Sequence, residues 1–456
     1  MKKILLDLQA LEGESSFRGI GRWTLNHSLE LLKNKPNDVE VYLLLNDSSD
    51  NISEIKKKYP NEKIITYSLP ISLKNNQKNW FDFNLVKKNR IRVSELLREY
   101  ALSCLNPDFV LVYSYFDSYF SLSSLNEYSY FPTGIILYDF IPMHYRDEYL
   151  SGWREDWYNR KISFLKGDFL CLSISDFVRD EAKSIIKNCE SIFSVDTATS
   201  DFWKKIEIPE DEKNSFFKKY GIEKPFILYS GGIDHRKNVR KLIESFSKYD
   251  IRSLGISLFV VCGKDESGAN ALKDYSKKLG LSEKDINFAT FVSDEDLRIF
   301  YNLCKLFIFP SLDEGFGLTP LEAMCCSAPV IASNRASIPQ VVGDSEALFD
   351  PTSISSIAEK IKKAILEYDF YNKLLENSKV QSGKFTWKDT ADKTWKYIQE
   401  YLNDERLNKK QFCTQEKFLD IASSLLKKEI DKTFIREVAE SVAFNSKLTI
   451  TFSDSY

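Results

Sequence analysis

The chain has 456 residues, with 63 lysines and arginines against 66 aspartates and glutamates, a net charge of −3, and 43% hydrophobic residues. That length points to two or three domains with buried cores, and the balance of charge and hydrophobicity excludes a disordered chain and gives no global reason to expect a nucleic-acid partner. Eight cysteines lie scattered without Cys-x-x-Cys spacing, and the three histidines stand at no ligand spacing to them, which reads as reduced thiols in a cytosolic protein with no zinc site.

Met1-Lys-Lys-Ile-Leu-Leu-Asp7 opens like a signal peptide, but a charge arrives after three apolar residues, so it reads as a first strand. Strands are predicted at 3–8, 40–45, 63–67, 109–113, 134–138 and 168–173, with amphipathic stretches between them. That alternation argues for parallel strands covered by helices on both faces. Apolar runs such as Gly134-Ile-Ile-Leu-Tyr138 are broken by Asp139 well before the roughly 20 residues of a membrane span, so no transmembrane helix is expected. Segment 201–224 is polar, carries Pro209 and is predicted to be a linker. A second strand series follows at 226–230, 257–262, 306–310 and 329–332, giving two doubly wound domains with a ligand expected at the carboxyl ends of their strands, in the cleft between them. From about 352 the pattern turns helical, and Leu448-Thr-Ile-Thr-Phe452 resembles a lone strand without partners.

Five stretches carry candidate chemistry. Arg18-Gly-Ile-Gly21-Arg-Trp-Thr24 follows the first strand but lacks the third glycine of a dinucleotide fingerprint and begins too late after the strand, which lowers a dehydrogenase reading. What remains is a glycine loop leading into a helix amino terminus, whose N–H groups at Gly19 and Gly21 can face an anion; a plain loop accounts for it equally well. Trp80-Phe-Asp-Phe83 with Lys87, Lys88, Arg90, Arg92 and Arg98 is a candidate surface for an anionic bilayer or a lipid-linked acceptor, although Asp82, Glu95 and Glu99 dilute the charge and favour an ordinary amphipathic helix. In Tyr229-Ser-Gly-Gly232-Ile-Asp-His-Arg236-Lys237-Asn238, two cations stand where the next helix begins. Cations there oppose the helix dipole, so a bound phosphate is a physical reason for their presence; solvated surface charge is the alternative. Asp294-Glu-Asp296 has the spelling of a metal clamp but follows Ser293 and opens a helix, so first-turn acids account for it better.

The fifth stretch is Phe309-Pro-Ser-Leu-Asp-Glu314-Gly315-Phe316-Gly317-Leu318-Thr319-Pro320-Leu-Glu322-Ala-Met324. Thr319 as N-cap, Pro320 at the first helical position and Glu322 at the third are predicted to form a capping box, a sufficient reason for Glu322 without a ligand. Glu314 is left in a glycine-rich loop with no visible structural task. N–H groups from Gly317 to Thr319 are expected to aim at the cleft, where phosphate oxygens accept.

On these residues the sequence resembles the retaining glycosyltransferases of family 4, over about residues 1–402. The glutamates at 314 and 322 with seven residues between them are the most specific element; Tyr138-Asp-Phe-Ile-Pro142, Leu172-Ser-Ile-Ser175 and Phe385-Thr-Trp387 support it. The resemblance implies an α/β GT-B fold: two facing Rossmann-like domains with a helical C-terminal extension. It implies an acceptor domain at 1–205, a nucleotide-sugar donor domain at 206–384, a crossing helix at 385–402 and an extension of unknown role at 403–456. It further implies that Glu314 holds donor-sugar hydroxyls, Glu322 the ribose, and Arg236 and Lys237 the diphosphate. Gly232, Gly315, Phe316, Gly317, Leu318 and Thr319 would line the donor, and Gly19 and Gly21 would approach its phosphates from the other domain. Tyr138, Gln340 and Ser327 stand where the family often has His, Glu and Gly, which leaves Asp139 as the polar catalytic candidate on its strand end.

The implied activity is hexosyl transfer with retention from a UDP- or GDP-sugar to a glycan, lipid-linked or protein acceptor, in bacterial surface polysaccharide or glycoconjugate synthesis. The place expected for it is the cytoplasm, with peripheral contact at the inner membrane face as an extension. No cofactor and no metal are expected, because Arg236, Lys237 and helix amino termini can stabilise the leaving diphosphate. A non-catalytic glycosyltransferase-like binding subunit is the alternative from another class, disfavoured by the presence of Glu314, Glu322, Arg236 and Lys237. A sugar phosphorylase or nucleotide-sugar epimerase is the alternative within the fold.

Overall fold

The computed structural model describes residues 1–12, 16, 19–47, 49, 51–70, 85–116, 131–166, 169–249, 251–404, 410–427, 429, 431–448 and 450–452. In chain order its strands are β1 (Lys2–Asp7), β2 (Val39–Asn46), β3 (Lys63–Tyr67), β4 (Phe109–Val112), β5 (Thr133–Leu137), β6 (Leu170–Ser173), β7 (Ile192–Ser194), β8 (Phe226–Ser230), β9 (Ser257–Val261), β10 (Ile286–Ala289), β11 (Leu306–Phe309), β12 (Val330–Ser333), β13 (Leu348–Phe349) and β14 (Ile450–Phe452). They form two sheets, ordered β14-β3-β2-β1-β4-β5-β6-β7 and β10-β9-β8-β11-β12-β13. Every pairing within them is parallel except that of β14 with β3. The central strands β4, β5, β8, β9 and β11 are buried along their length, and β1 over its last four residues, because helices cover both faces, as parallel crossovers require.

The chain divides into two compact units: Met1–Ile174, Val178–Val195 and Trp387–Tyr456 form the first, and Ser175–Phe177 with Asp196–Thr386 the second. Each sheet reverses its winding once, between β1 and β4 in the first unit and between β8 and β11 in the second. Such reversals leave a crevice at the carboxyl ends of the two diverging strands, the usual seat of a ligand in this class of sheet.

Two expectations are corrected here. Segment 201–224 is not a linker but part of the second unit's packing: Trp203 lies against Tyr301 at 5.6 Å, Phe216 of the helix Glu210–Tyr220 against Phe300 at 4.7 Å, and Asn302 accepts from the Ile206 N–H at 2.9 Å. Its charges occupy the outer face of the helix while the aromatics face inward, which is an amphipathic element rather than a tether. Nor is the last strand alone. Ile450–Phe452 runs antiparallel to β3 and covers an edge of the first sheet, whose unpaired N–H and C=O groups would otherwise be open to another chain.

The helices before it join the same unit. Helix Gln415–Leu426 sets Phe418 5.9 Å from Tyr100 of helix Leu85–Leu105. Arg90 grips Glu429 with two hydrogen bonds of 2.6 and 2.8 Å and lies 4.7 Å from the ring of Phe434 in helix Lys432–Asn445. Ser68, just after β3, exchanges hydrogen bonds of 2.8 and 3.1 Å with the Asn445 side chain. Among the described residues no helix is long and apolar enough to cross a membrane.

Candidate functional site

The second unit's crevice is built from the loops that leave β8 and β11. After β8, Gly231 takes φ +147°, a region barred to most side chains, and a Cβ there would also stand 3.1 Å from the Tyr229 hydroxyl. Tyr229 donates to the Gly232 carbonyl, so the loop folds back on its own strand. A 3₁₀ turn, His235–Lys237, then carries the two predicted cations, and Asn238 in the left-handed region opens helix Val239–Lys248. The Asn238 amide donates to the carbonyls of Pro310 (3.1 Å) and Pro351 (2.8 Å), and Leu312 N–H donates to the Arg236 carbonyl at 2.8 Å. These bonds lock the β8 loop to the β11 loop.

The lock brings three predicted residues together. Lys237 Nζ lies 2.6 Å from Glu314 Oε1 and Arg236 Nη1 lies 3.2 Å from Glu314 Oε2. Ser311 Oγ donates to Glu314 Oε1 at 2.7 Å, Arg236 Nη1 also donates to the Asp313 carbonyl at 2.6 Å, and Lys237 sits 5.6 Å from the centre of the Phe309 ring. The three charged side chains are only 12–14% exposed. Burial raises the Glu314 pKa, but the charges of Lys237 and Arg236 outweigh it and hold the carboxyl below its ordinary value, so Glu314 is an anion at neutral pH. Glu314 thus does have a structural partner set in its loop, contrary to the sequence expectation, and it is the anion that joins the two cations.

The rest of the loop is held from below. Ser337 Oγ lies 2.7 Å from the carbonyls of both Glu314 and Phe316, Ser175 Oγ donates to the Gly315 carbonyl at 2.6 Å, and Phe316 packs edge-on against Phe385 at 5.3 Å. The predicted capping box does not form. The helix runs from Leu318 to Cys325 with Gly317 at its N-cap, φ +114°, and no side chain caps it. Gly317 supplies the sharp turn by backbone freedom alone, which starts the helix early and puts Thr319 and Pro320 at its second and third positions. Proline is tolerated there because the first N–H groups of a helix have no acceptor within it. The N–H groups of Leu318 and Thr319 stand in that same first turn. Glu322, released from capping, instead accepts from the Tyr301 hydroxyl at 3.4 Å, and that hydroxyl is 2.8 Å from Ser230 Oγ at the end of β8. Both glutamates therefore sit at the β8/β11 reversal.

In the first unit, Gly19 and Gly21 are not in a loop; they occupy the first turn of helix Gly19–Lys33, with Gly21 buried. Further along this helix, Thr24 Oγ1 is 3.4 Å from the Tyr138 hydroxyl and Trp23 meets the Tyr138 ring edge-on at 5.7 Å. Asp139, just past β5, accepts the Ile141 N–H at 3.0 Å and so opens the short helix Ile141–His144. Arg98 is no surface residue. It is fully buried with Nη2 2.5 Å from the carboxylate of Asp7, at the carboxyl end of β1. Arg90 serves the C-terminal helices, Lys88 faces Asp156 at 3.6 Å, and Trp80 to Phe83 lie outside the described residues. Asp294, Glu295 and Asp296 form the first turn of helix Asp294–Leu303, capped by Ser293, and Asp296 is bound by Lys219 Nζ (2.5 Å) and the Tyr220 hydroxyl (2.6 Å).

Sequence reasoning quoted Ser175, Asn238 and Ser311 within its motifs but gave them no task, and did not name Ser337. Serine and asparagine are common in loops for many reasons, and only the spatial convergence of the loops gives these a task.

Residues 212–381 match the family described as Glycosyl transferases group 1. The chain is 29% identical over 402 residues to the serotype-specific mannosyltransferase WbdA of Escherichia coli, covering 85% of this chain and 47% of that protein. It is 28% identical over 229 residues to the O-antigen chain mannosyltransferase B of Escherichia coli, covering 49% of this chain and 59% of that one. The chain thus spans about half the length of these relatives. Among solved structures, a glycosyltransferase of Rickettsia africae superposes with a TM-score of 0.60 at 18% identity, over 89% of this chain and 99% of that one. The shared architecture is GT-B.

Proposed function

We propose, from the premise that residues 212–381 form a domain of the glycosyl transferases group 1 family, that this chain is a glycosyltransferase that moves a hexose from a nucleotide sugar to a glycan, lipid-linked or protein acceptor. The observation that carries the reading is the convergence of Arg236, Lys237 and Glu314 where β8 and β11 diverge. Two cations and a helix amino terminus suit a diphosphate, and an ionised carboxylate beside them suits sugar hydroxyls. In the reaction the bond from the anomeric carbon to the diphosphate oxygen breaks and a bond to the acceptor oxygen forms. The acceptor proton passes to the departing phosphate. Arg236, Lys237 and the first-turn N–H groups of helix Leu318–Cys325 stabilise the negative charge that grows on the leaving group. Glu314 orients the sugar and Glu322 the ribose.

Several finer points belong to the same proposal. The configuration is retained, as in family 4, by attack from the face the diphosphate leaves. Charge stabilisation needs no metal, since protein cations supply it. Asp139 at the end of β5 is the polar group offered to the acceptor by the first unit. The names of both relatives make mannose the first sugar to test, with GDP and UDP as the candidate carriers, and O-antigen-like surface polysaccharide the product class, made on the cytoplasmic side and with the chain peripheral to the membrane where a lipid-linked acceptor is used.

A thermal-shift panel of UDP-, GDP-, ADP- and TDP-sugars on the wild type and Glu314→Ala tests the reading, because a ligand of the folded site raises Tm by mass action. One donor stabilising the wild type and not the variant is the expected result. Absence of stabilisation by every nucleotide sugar, together with no release of nucleotide in the presence of glycan acceptors, overturns it.

A further inference from the structure

The proposed diphosphate cations already have an anion. Glu314 gives one carboxylate oxygen to Lys237 at 2.6 Å and the other to Arg236 at 3.2 Å, so both cations are engaged by the same residue. The pairing is held from outside the triad: Ser311 fixes Oε1, the Asp313 carbonyl fixes Arg236, and Ser337 anchors the Glu314 backbone. A phosphate seated on Arg236 and Lys237 meets this carboxylate at contact range, where like charges in a poorly solvated crevice repel.

The conflict resolves differently for two ligands. A nucleotide sugar brings hydroxyl donors with its diphosphate, and these can replace the cations as partners of Glu314. A nucleoside diphosphate has only its ribose hydroxyls, which the proposed function assigns to Glu322, so at Glu314 its phosphate oxygens and the carboxylate compete for the same donors. We propose that Glu314 is a built-in competitor of the diphosphate, one that admits the sugar-bearing donor and expels the sugar-free product. This rests on the reading that the cluster takes a nucleotide sugar, and it adds a selectivity between donor and product to that reading. After transfer the sugar hydroxyls leave with the acceptor, Glu314 loses its replacement partners and reclaims Lys237 and Arg236. Departure of the nucleotide is thereby coupled to completed transfer.

The test is calorimetric titration of wild type, Glu314→Gln and Glu314→Ala with inorganic pyrophosphate, UDP, GDP, UDP-glucose and GDP-mannose. Both substitutions remove the charge, and glutamine keeps the shape, so a retained circular dichroism spectrum and a cooperative melting transition above the titration temperature in either variant suffice for interpretation. The expected result is that pyrophosphate and the recognised nucleoside diphosphate bind roughly tenfold tighter to the variants, as loss of one opposing charge at contact range implies, while the matching nucleotide sugar does not tighten. Unchanged or weaker diphosphate binding in both variants overturns the inference and leaves the donor reading standing if the nucleotide sugar still binds the wild type and is lost in Lys237→Ala. Failure of all five probes to bind the wild type and both variants overturns the donor reading itself, and this inference with it.

Discussion

Lys237 and Glu314, 77 residues apart in sequence, meet through a 2.6 Å ion pair because the loops after β8 and β11 leave the second sheet side by side. Their contact depends on supports that carry no charge, namely Asn238 and Ser311. Removal of either cation leaves Glu314 half paired. If the cations stabilise the leaving group, Lys237→Ala and Arg236→Ala should each lower kcat by roughly 10²–10³ while the fold persists. Steady-state kinetics with the donor found by thermal shift checks this; an unchanged kcat with a raised KM would assign the cations to ground-state binding alone.

The acid response of the same cluster has a definite sign. Glu314 has its pKa held below the ordinary value, against the opposing effect of burial, by Lys237 and Arg236, so its contribution to stability is present above the unfolded-state pKa and lost as pH falls through the folded one. Melting curves of wild type and Glu314→Gln should therefore differ at neutral pH and converge as pH drops below about 4.3, the usual glutamate value.

His27 gives the first unit an acid response with a different window. It is fully buried between the Tyr113 hydroxyl and Thr394 Oγ1, both at 2.9 Å, and burial pulls its pKa down to about 3. The unfolded chain takes up a proton near pH 6.5 that the folded chain refuses, so stability should decline from there toward pH 3, with a slope of at most about 1.4 kcal/mol per pH unit from this group. A His27→Gln variant should lose that part of the slope in denaturant titrations between pH 7 and 4.5.

Arg90→Ala should release the C-terminal helices. It strands Glu429, whose side chain is 3% exposed, and removes the guanidinium from the face of Phe434. A loss of about 2 kcal/mol is expected, read as faster proteolysis within 404–452 with the second unit's cleavage pattern unchanged.

Gly317→Ala forces a side chain onto φ +114° and should cost about 1–3 kcal/mol. The nearest obstacle to a new Cβ is Pro320 Cγ at 3.4 Å, an ordinary contact, so the penalty is conformational rather than steric. Donor affinity should fall with stability, because the turn aims the amino terminus of helix Leu318–Cys325. Turnover, for its part, should persist in EDTA; loss that manganese restores would refute the metal-free mechanism.

The long apolar strands were legible because burial on both faces leaves no polar positions to blur them. Three of the four edge strands were not: β7 and β13 are too short to carry a pattern, and β10 reads Ile-Asn-Phe-Ala with one buried residue; the fourth, β14, was legible as a strand but not its pairing with β3. In the site, Arg236, Lys237 and Glu314 could be named from residue type and spacing, but their mutual contact could not, since it depends on two loops meeting across the sheet. Glu322 was misassigned as a cap because nothing in the sequence distinguishes a glycine that turns by positive φ from one that merely spaces. Arg98 looked like surface charge for the reason that its partner, Asp7, stands 91 residues away on another element.

The second unit is an insertion into the first, and this fixes an order of assembly. During synthesis, Asp196 to Thr386 emerge as a nearly complete sheet and core while the first unit still lacks the helix Trp387–Asn403, whose Trp395 donates to the Leu31 carbonyl and whose Thr394 completes the partners of His27. The half synthesised first is the half that must wait. A chain that stops after Thr386 would thus hold the whole second unit without the helix that completes the first, and the nascent first unit exposes its unfinished core longer than the second.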